Sequence, residues 1–326
     1  MTNHVPRGED LRSDPDIPGG IRYDPDLAVH EPIPVPSGPI IPSRRTTPLI
    51  LLPVGLLALS LAIYALFGLL ASEGKRSSDY LGEIRMRRSA GWQAAFELSR
   101  LIPIEDPRRR DARFGPDLLA LFEASRGEDP RVRRYLALCL GELRERRAVE
   151  ALGAALGDED LQTRIYAAWS LGALGESRAV PLLLPFLASE EPDLRKIAAY
   201  ALGSLDAPGA VEPLTPLLND PVEDVSWNAA LALARQGSGA GLPLLVRMVD
   251  RSYLDRVTRP DEAGRPLPLT EDQKEEAILN ALRSIRSLGD RGHLDALRKV
   301  AASDPSLRVR QAALEALESL HAASSY

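Results

Sequence analysis

The chain has 326 residues, with 40 Lys and Arg against 46 Asp and Glu, and a formal net charge of −6. This acidic balance argues against nucleic acid as the main partner, because phosphate recognition needs clustered positive charge. The single cysteine, Cys139, excludes an intrachain disulfide. Aromatic residues make up only 5% of the chain and alternating β-branched runs are absent, so we expect little sheet.

The first 48 residues are rich in proline and hold ten of the 27 prolines in the chain. Such a segment buries too little apolar surface to offset the entropy lost on ordering. The sequence therefore predicts a largely disordered tail over residues 1–48. A proline-rich tail can dock in an aromatic groove, but a spacer is the simpler interpretation.

An uncharged run, "LILLPVGLLALSLAIYALFGLLA", follows at residues 49–71. At about 1.5 Å per residue it is long enough to cross a hydrocarbon core of about 30 Å. It starts too far along the chain to favour a cleaved signal peptide. The run predicts a single-pass transmembrane helix, followed by a juxtamembrane linker at residues 72–81.

The charges beside this run predict its orientation. Two arginines, Arg44 and Arg45, precede it. Five cations follow within about 20 residues: Lys75, Arg76, Arg85, Arg87 and Arg88. Because positive charge collects on the cytoplasmic side, we expect the C-terminal part to be cytoplasmic, with the opposite orientation as the alternative.

A helical pattern then recurs at steps of 31 residues. It is marked by Leu140-Gly141, Leu171-Gly172 and Leu202-Gly203. The first half of each copy places apolar residues at i, i+3, i+4, i+7, i+8 and i+11, which is one stripe of an α-helix. A glycine-containing turn and a shorter apolar helix follow. A fixed period of this length predicts an all-α solenoid of helix hairpins.

The repeated segments "VRRYLALCLGELRERRAVEALGAAL" and "RIYAAWSLGALGESRAVPLLLPFL" resemble HEAT repeats, of the short kind also found in phycobilisome lyases. The resemblance covers residues 82–326 and implies an α-solenoid of about six and a half HEAT-like helix hairpins. HEAT arrays mostly bind proteins, so the resemblance implies a scaffold with a protein partner. Some relatives are enzymes.

The enzymatic relatives need particular residues for their chemistry. A di-iron hydroxylase of this type carries His-Glu pairs on successive repeats, whereas the only such pair here, His30-Glu31, lies in the tail. We therefore expect no metal, no cofactor and no catalytic residue. A bilin-lyase-like enzyme or chaperone acting on a bound protein remains the alternative.

Arginine recurs at one repeat position near the start of the first helix. Its members are Arg133, Arg164, Arg195 and, in the last copy, Arg310. Acids such as Asp129, Asp160 and Glu191 stand four residues before them. We interpret the row as a structural ladder that ties the turn of each repeat to its neighbour; the alternative is a surface for an acidic partner.

Other stripe positions carry small or polar residues. Cys139 stands at i+7, where other copies have Ser170 and Ala201, which indicates a packed small residue rather than a nucleophile. Asn228 and Asn280 replace apolar residues at i+3 in adjacent copies. We expect their amides to bond backbone carbonyls of a turn, since an unpaired buried amide costs about 1–3 kcal/mol.

Two departures from the repeat are candidate partner-binding surfaces. One is an insertion at about residues 252–270, because long loops in compact arrays are often functional. Its candidate contacts are Tyr253, Asp255, Arg256 and Arg259. The other is the outward face of the second helices, expected to line the concave side, with candidates Pro181, Pro185, Pro216 and Pro243.

The sequence thus predicts a membrane-anchored HEAT-repeat scaffold that holds a protein partner at the membrane, within a larger membrane complex. Thr270 and Gln273 are predicted to form a capping box that restarts the helix after the insertion. We also expect that deleting residues 253–269 leaves the array folded, because repeats contact only their neighbours.

Overall fold

The computed structural model describes residues 56–63, 75–87, 91–261 and 263–322. The chain divides into two units, Met1–Glu73 and Gly74–Tyr326. In the first unit, residues 56–63 are helical and expose their leucines. No helix among the described residues is long and apolar enough to cross a membrane. The predicted tail and the rest of the predicted span lie outside the described residues, so both stay predictions.

The second unit is a stack of short helices. In chain order they are α1 (Ser77–Arg87), α2 (Trp92–Leu101), α3 (Phe114–Ala124), α4 (Pro130–Glu142), α5 (Val149–Ala155), α6 (Leu161–Leu174), α7 (Val180–Leu183), α8 (Pro192–Ser204), α9 (Val211–Leu214), α10 (Glu223–Arg235), α11 (Leu242–Met248), α12 (Arg251–Leu254), α13 (Glu271–Leu288), α14 (Leu294–Ser303) and α15 (Leu307–Ala322). The first helices of successive repeats are α2, α4, α6, α8, α10, α13 and α15. The array begins inside the predicted linker, because α1 starts at Ser77 and buries Leu81 in the core.

The glycine of each Leu-Gly pair lets successive first helices touch through their backbones. A Cβ added at Gly172 would lie 2.8 Å from the Cα of Ala201, and one added at Gly203 would lie 2.7 Å from the Cα of Ala232. Non-bonded carbons normally stay about 3.5–4.0 Å apart, so these positions cannot carry a side chain without moving a helix. The recurring pair is therefore a packing requirement of the first-helix layer.

The second-helix layer consists of shorter helices than the first. The second helices α5, α7, α9 and α11 span 7, 4, 4 and 7 residues, whereas the first helices α4, α6, α8 and α10 span 13 or 14. The expectation that the second helices line the concave side stays a prediction.

Two second helices change type part-way along. α7 and α9 continue as 3₁₀ helices over Leu184–Ala188 and Thr215–Asn219. Pro185 and Pro216 stand at the start of these segments. A proline has no N–H to donate and its ring clashes with the preceding turn of an α-helix, so each proline ends the α-helical part.

Helix ends are capped in two ways. Gly175 ends α6 with φ of 70°, as its place in the repeat predicts. The turn after α8 lacks such a glycine, and a side chain of the next repeat takes over. Gln236 Nε2 donates to the carbonyls of Leu202 and Leu205 at 3.0 and 2.7 Å, and its Oε1 accepts from Ala207 N at 3.1 Å.

The insertion interrupts a first helix after one turn. α12 is followed by an antiparallel hairpin of β1 (Thr258–Pro260) and β2 (Pro266–Pro268), with Arg259 opposite Leu267. The helix resumes at α13, where the capping box of Thr270 and Gln273 is confirmed. The all-α expectation missed this small sheet, because its strands are only three residues long and contain prolines.

The ends of the insertion belong to the core. Leu254, Val257 and Leu269 are each less than a twentieth exposed. Deleting residues 253–269, as the sequence suggested, would remove all three buried side chains. The part that projects from the array is the shorter segment between Thr258 and Pro268.

The hydrophobic core consists of two clusters that meet at α10. One cluster runs from Leu81 to Leu233 and the other from Trp227 to Leu320. Ala229 of α10 belongs to the first cluster, whereas its neighbour Ala230 belongs to the second. The two halves of the core are therefore joined by α10 and by Leu218, which lies before this helix and packs against both clusters.

Candidate partner-binding surface

The insertion is fixed to the array by an aromatic contact. Trp227 Nε1 of α10 donates to the Tyr253 hydroxyl at 3.1 Å, and the two rings meet edge to face with centroids 6.3 Å apart. The Arg247 guanidinium lies 4.5 Å from the centroid of the Tyr253 ring. Tyr253, predicted as a partner contact, is thus engaged by the array and holds the insertion in place.

Charged contacts hold the other side of the insertion. Arg259 of β1 reaches Asp224 at the start of α10, with Nη2 to Oδ1 at 2.5 Å. Asp255 accepts from Lys274 Nζ of α13 at 2.6 Å. Arg256, the remaining predicted contact, is exposed on the surface. Three of the four predicted residues therefore act as anchors, and Arg256 faces solvent.

A groove of about 450 Å³ lies beside these anchors, between α8, α10, α13 and the hairpin. Tyr200 and Leu231 supply its apolar surface, and Arg235 and Glu276 supply charge. Arg259 forms part of its wall, so the structure brings the insertion and the first helices together at one place. Sequence reasoning placed the binding face on the second helices and missed this groove.

The two asparagines of the repeat both line this groove. Asn228 Nδ2 donates to the carbonyl of Asp224 in its own helix at 2.7 Å. Asn280 Oδ1 accepts from Arg283 Nη1 at 3.0 Å. The expectation that they bond backbone carbonyls holds for Asn228, although the carbonyl is in its own helix and not in a turn, and it is wrong for Asn280.

The four candidate prolines lie elsewhere. Pro181 and Pro243 stand at the starts of α7 and α11, and Pro185 and Pro216 stand at the starts of the 3₁₀ segments. All four are exposed, and none lines the groove. They form a separate surface on the second-helix layer.

Two members of the arginine row join helix starts to distant turns. Arg133 Nε donates to Asp158 at 2.7 Å, and its Nη1 donates to the Phe122 carbonyl at 3.0 Å. Arg195 bonds both carboxylate oxygens of Asp220, at 2.7 and 3.0 Å. Each acid follows its arginine by 25 residues, in the turn after the second helix of the same repeat.

The other members of the row differ. Arg310 donates to the carbonyl of Asp304 in the turn before its helix. Arg164 Nε is buried without a hydrogen-bond partner among the described residues. Arg251, which the 31-residue step did not pick out, bonds both carboxylate oxygens of Asp304 at 2.8 and 3.0 Å. Arg251 lies at the start of the interrupted helix, so the 31-residue step does not identify it.

The acids predicted as ladder partners have other roles. Asp129 caps α4 and pairs with Arg131 at 2.7 Å. Asp160 caps α6 and accepts from Arg134 Nε at 2.6 Å. The Arg134 guanidinium holds the pKa of Asp160 at about 2, below its ordinary value of 3.8. The Asp129 contact is local to one helix start, whereas the Asp160 contact joins two successive first helices through residues 26 positions apart.

The described residues hold no group of His, Cys, Asp and Glu side chains that could bind a metal ion. Cys139 is fully buried against α2, and burial raises the pKa of its thiol. It occupies the packed position that the sequence predicts. A buried, protonated thiol is a poor nucleophile.

Comparison with known proteins identifies the repeat. Residues 118–199 and 180–260 match the family model for HEAT repeats. No curated protein sequence matches the chain. Among solved structures, the chain is similar to the complex of CpcE and CpcF of phycocyanin lyase from Nostoc sp. PCC7120, with a TM-score of 0.51 and 22% identity over 75% of this chain and 88% of that one.

Two further solved structures are less similar to this chain. A designed armadillo repeat protein has a TM-score of 0.38 and 22% identity, over 64% of this chain and 94% of that one. Human deoxyhypusine hydroxylase in complex with glycerol has a TM-score of 0.33 and 17% identity, over 71% and 80%. The family match shows HEAT repeats over residues 118–260, and the likeness to the lyase complex shows a similar fold for the array.

Proposed function

We propose that this HEAT-repeat chain is a membrane-anchored scaffold that binds a protein partner beside its insertion. The observation that carries the proposal is the fixed position of the hairpin, held by Tyr253 on Trp227 and by Arg259 on Asp224. A surface that is already ordered loses less conformational entropy on binding than a loose loop does. The outer strand exposes Leu267 to about half of its full extent, which gives a partner an apolar contact.

The partner test removes the projecting hairpin and keeps its buried ends. Thr258 to Pro268 are replaced by a short Gly-Ser linker in the full chain, and partners are cross-linked in cells, purified in detergent and identified by mass spectrometry. We expect a specific partner to be lost while the melting temperature stays within about 2 °C, because closing a shorter loop changes the free energy little. Unchanged partner recovery would contradict the proposed role of the hairpin.

A matched pair of point variants tests the same surface. Arg259→Glu and Arg256→Glu change the charge equally, but only Arg259 ties the hairpin to α10. We expect Arg259→Glu to reduce partner recovery by loosening the hairpin. If Arg256→Glu alone has the effect, the partner contacts the exposed arginine directly and the anchored geometry is not what matters.

Membrane anchoring is supported by the apolar run at residues 49–71 and by the cations that follow it. The part of the run that is described, residues 56–63, is helical and exposes leucine side chains. We expect the chain to stay with membranes after carbonate washing, and a reporter fused after Tyr326 to be active in the cytoplasm. Release by carbonate would refute the anchor, and activity on the opposite side would reverse the orientation.

The alternative, a lyase-like enzyme or chaperone, would use the same kind of array. The likeness to the phycocyanin lyase complex is a likeness of fold at 22% identity. Absorbance titration of the purified chain with a bilin separates the two functions. A scaffold gives no stoichiometric complex, whereas saturation at one bilin per chain would favour the lyase-like function.

A further inference from the structure

We infer that the groove between α8, α10 and α13 binds an extended peptide segment that carries an acidic side chain. The inference rests on the proposed function and names the chemistry of the partner. It depends on two features of the groove: a pair of amides and one cation without a carboxylate.

The amides occupy a repeat position that faces the groove. The residues at this position are half-buried in successive first helices: Tyr135, Tyr166, Ile197, Asn228 and Asn280. Tyr135 and Tyr166 touch each other through their rings, with centroids 6.4 Å apart. Of the three first helices that line the groove, α10 and α13 carry asparagine at this position and α8 carries Ile197. The position therefore changes from packing to hydrogen bonding in α10 and α13.

Each side-chain amide has one hydrogen-bonding group without a partner among the described residues. Asn228 uses its Nδ2 on the Asp224 carbonyl, and among the described residues its Oδ1 has no donor. Asn280 uses its Oδ1 on Arg283, and its Nδ2 has no acceptor there. An acceptor on one wall and a donor on the next match the N–H and C=O groups of a peptide backbone.

The two amides suit an extended chain. An extended or polyproline II segment leaves its backbone N–H and C=O groups free to bond them. A helical segment uses its backbone groups internally, so it fits this pair poorly.

Charge in the groove selects the side chain. Lys196 pairs with Asp193 at 2.6 Å and Arg259 pairs with Asp224. Arg235 instead lies 5.4 Å from the centroid of the Tyr200 ring and makes no ion pair among the described residues. An acidic side chain placed at Arg235 gains a partner, while Glu276 repels a second acid at the opposite wall.

The experiment measures peptide binding to the full chain in detergent by fluorescence anisotropy. The probe is a labelled peptide of four Glu-Ala-Pro triplets, which holds an extended conformation. The matched probe has Lys in place of Glu. We expect saturable binding of the acidic peptide and at least about tenfold weaker binding of the basic one.

Three variants assign the effect to the groove. The double variant Asn228→Leu and Asn280→Leu restores apolar residues and should weaken binding about tenfold or more through two lost hydrogen bonds. Arg235→Gln should reduce the preference for the acidic probe to within about threefold. Asn219→Leu, an exposed asparagine outside the groove, should bind as wild type does. Circular dichroism confirms that each variant is folded.

The failures are distinguishable. No saturable binding by wild type, or equal binding by the double asparagine variant, overturns the inference. If a cross-linked partner is still lost with the hairpin in that case, the scaffold function stands and the groove does not serve it. If neither the peptide nor a partner binds, both proposals fail.

Discussion

The substitution Gly172→Ala tests the contact that sets the spacing of the repeats. The new Cβ would lie 2.8 Å from the Cα, 2.9 Å from the Cβ and 3.3 Å from the carbonyl oxygen of Ala201. Carbon atoms need about 3.5–4.0 Å. α6 and α8 must therefore separate by about 1 Å, since the obstacle is backbone and cannot rotate away.

Two opposing contributions set the magnitude. Adding a methyl group to a close-packed core costs about 1–3 kcal/mol, and a rigid backbone neighbour favours the upper part of that range. Replacing glycine by alanine inside a helix gains about 1 kcal/mol. We expect a net loss of about 1–2 kcal/mol, and for a domain of this size each kcal/mol lowers the melting temperature by about 2–4 °C.

The assay is thermal unfolding followed by circular dichroism at the helical band. Gly82→Ala is the matched control, because Gly82 lies inside α1 and a Cβ there meets nothing within 4 Å. This control should be unchanged or up to about 1 kcal/mol more stable. Equal or higher stability of Gly172→Ala than of wild type would refute the argument that the Leu-Gly pair exists for backbone contact.

Three other substitutions test features of the array. Gln236→Ala removes three hydrogen bonds that cap α8 and should cost about 1–3 kcal/mol in denaturant unfolding; no loss would mean that water replaces them. Arg133→Met should cost about 3 kcal/mol in the same assay, because the Arg133 side chain is only 6% exposed. Arg131→Met is the control and should change stability much less, because the Arg131 side chain is 48% exposed. Equal costs would refute the distinction. Because the folded pKa of Asp160 lies below its ordinary value, its stabilisation is complete above pH 3.8 and is lost as the pH falls towards about 2. Asp160→Asn should flatten the stability curve in that window, and an unchanged slope would contradict the assignment.

The array could be predicted from the sequence because its signals are local and repeated. The stripe of Leu194, Ala198 and Leu202 is one face of one helix, and Gly175 marks the turn that follows another. Such signals lie within a single repeat, and each further copy of the 31-residue repeat shows them again. The same reasoning found the capping box at Thr270, which needs only four consecutive residues.

The candidate site could not be predicted in the same way, because its contacts join distant residues. Arg133 pairs with an acid 25 residues away, and Tyr253 meets Trp227 across two helices. Nothing in the residue pattern favours Asp158 over Asp129 as a partner. The groove likewise combines side chains of α8, α10, α13 and β1, which the pattern within one repeat does not bring together.

The division of the core at α10 has a consequence for cooperative unfolding. In a repeat array each half is stabilised by nearest-neighbour interfaces, and the array separates where coupling is weakest. The two clusters meet at α10, whose Ala229 and Ala230 belong to opposite halves, and at Leu218 just before it, which packs against both. Intermediates with one half melted and the other intact should therefore break at this helix. The groove spans the same boundary, so a peptide bound to Asn228 and Asn280 would couple the halves and merge two unfolding steps into one.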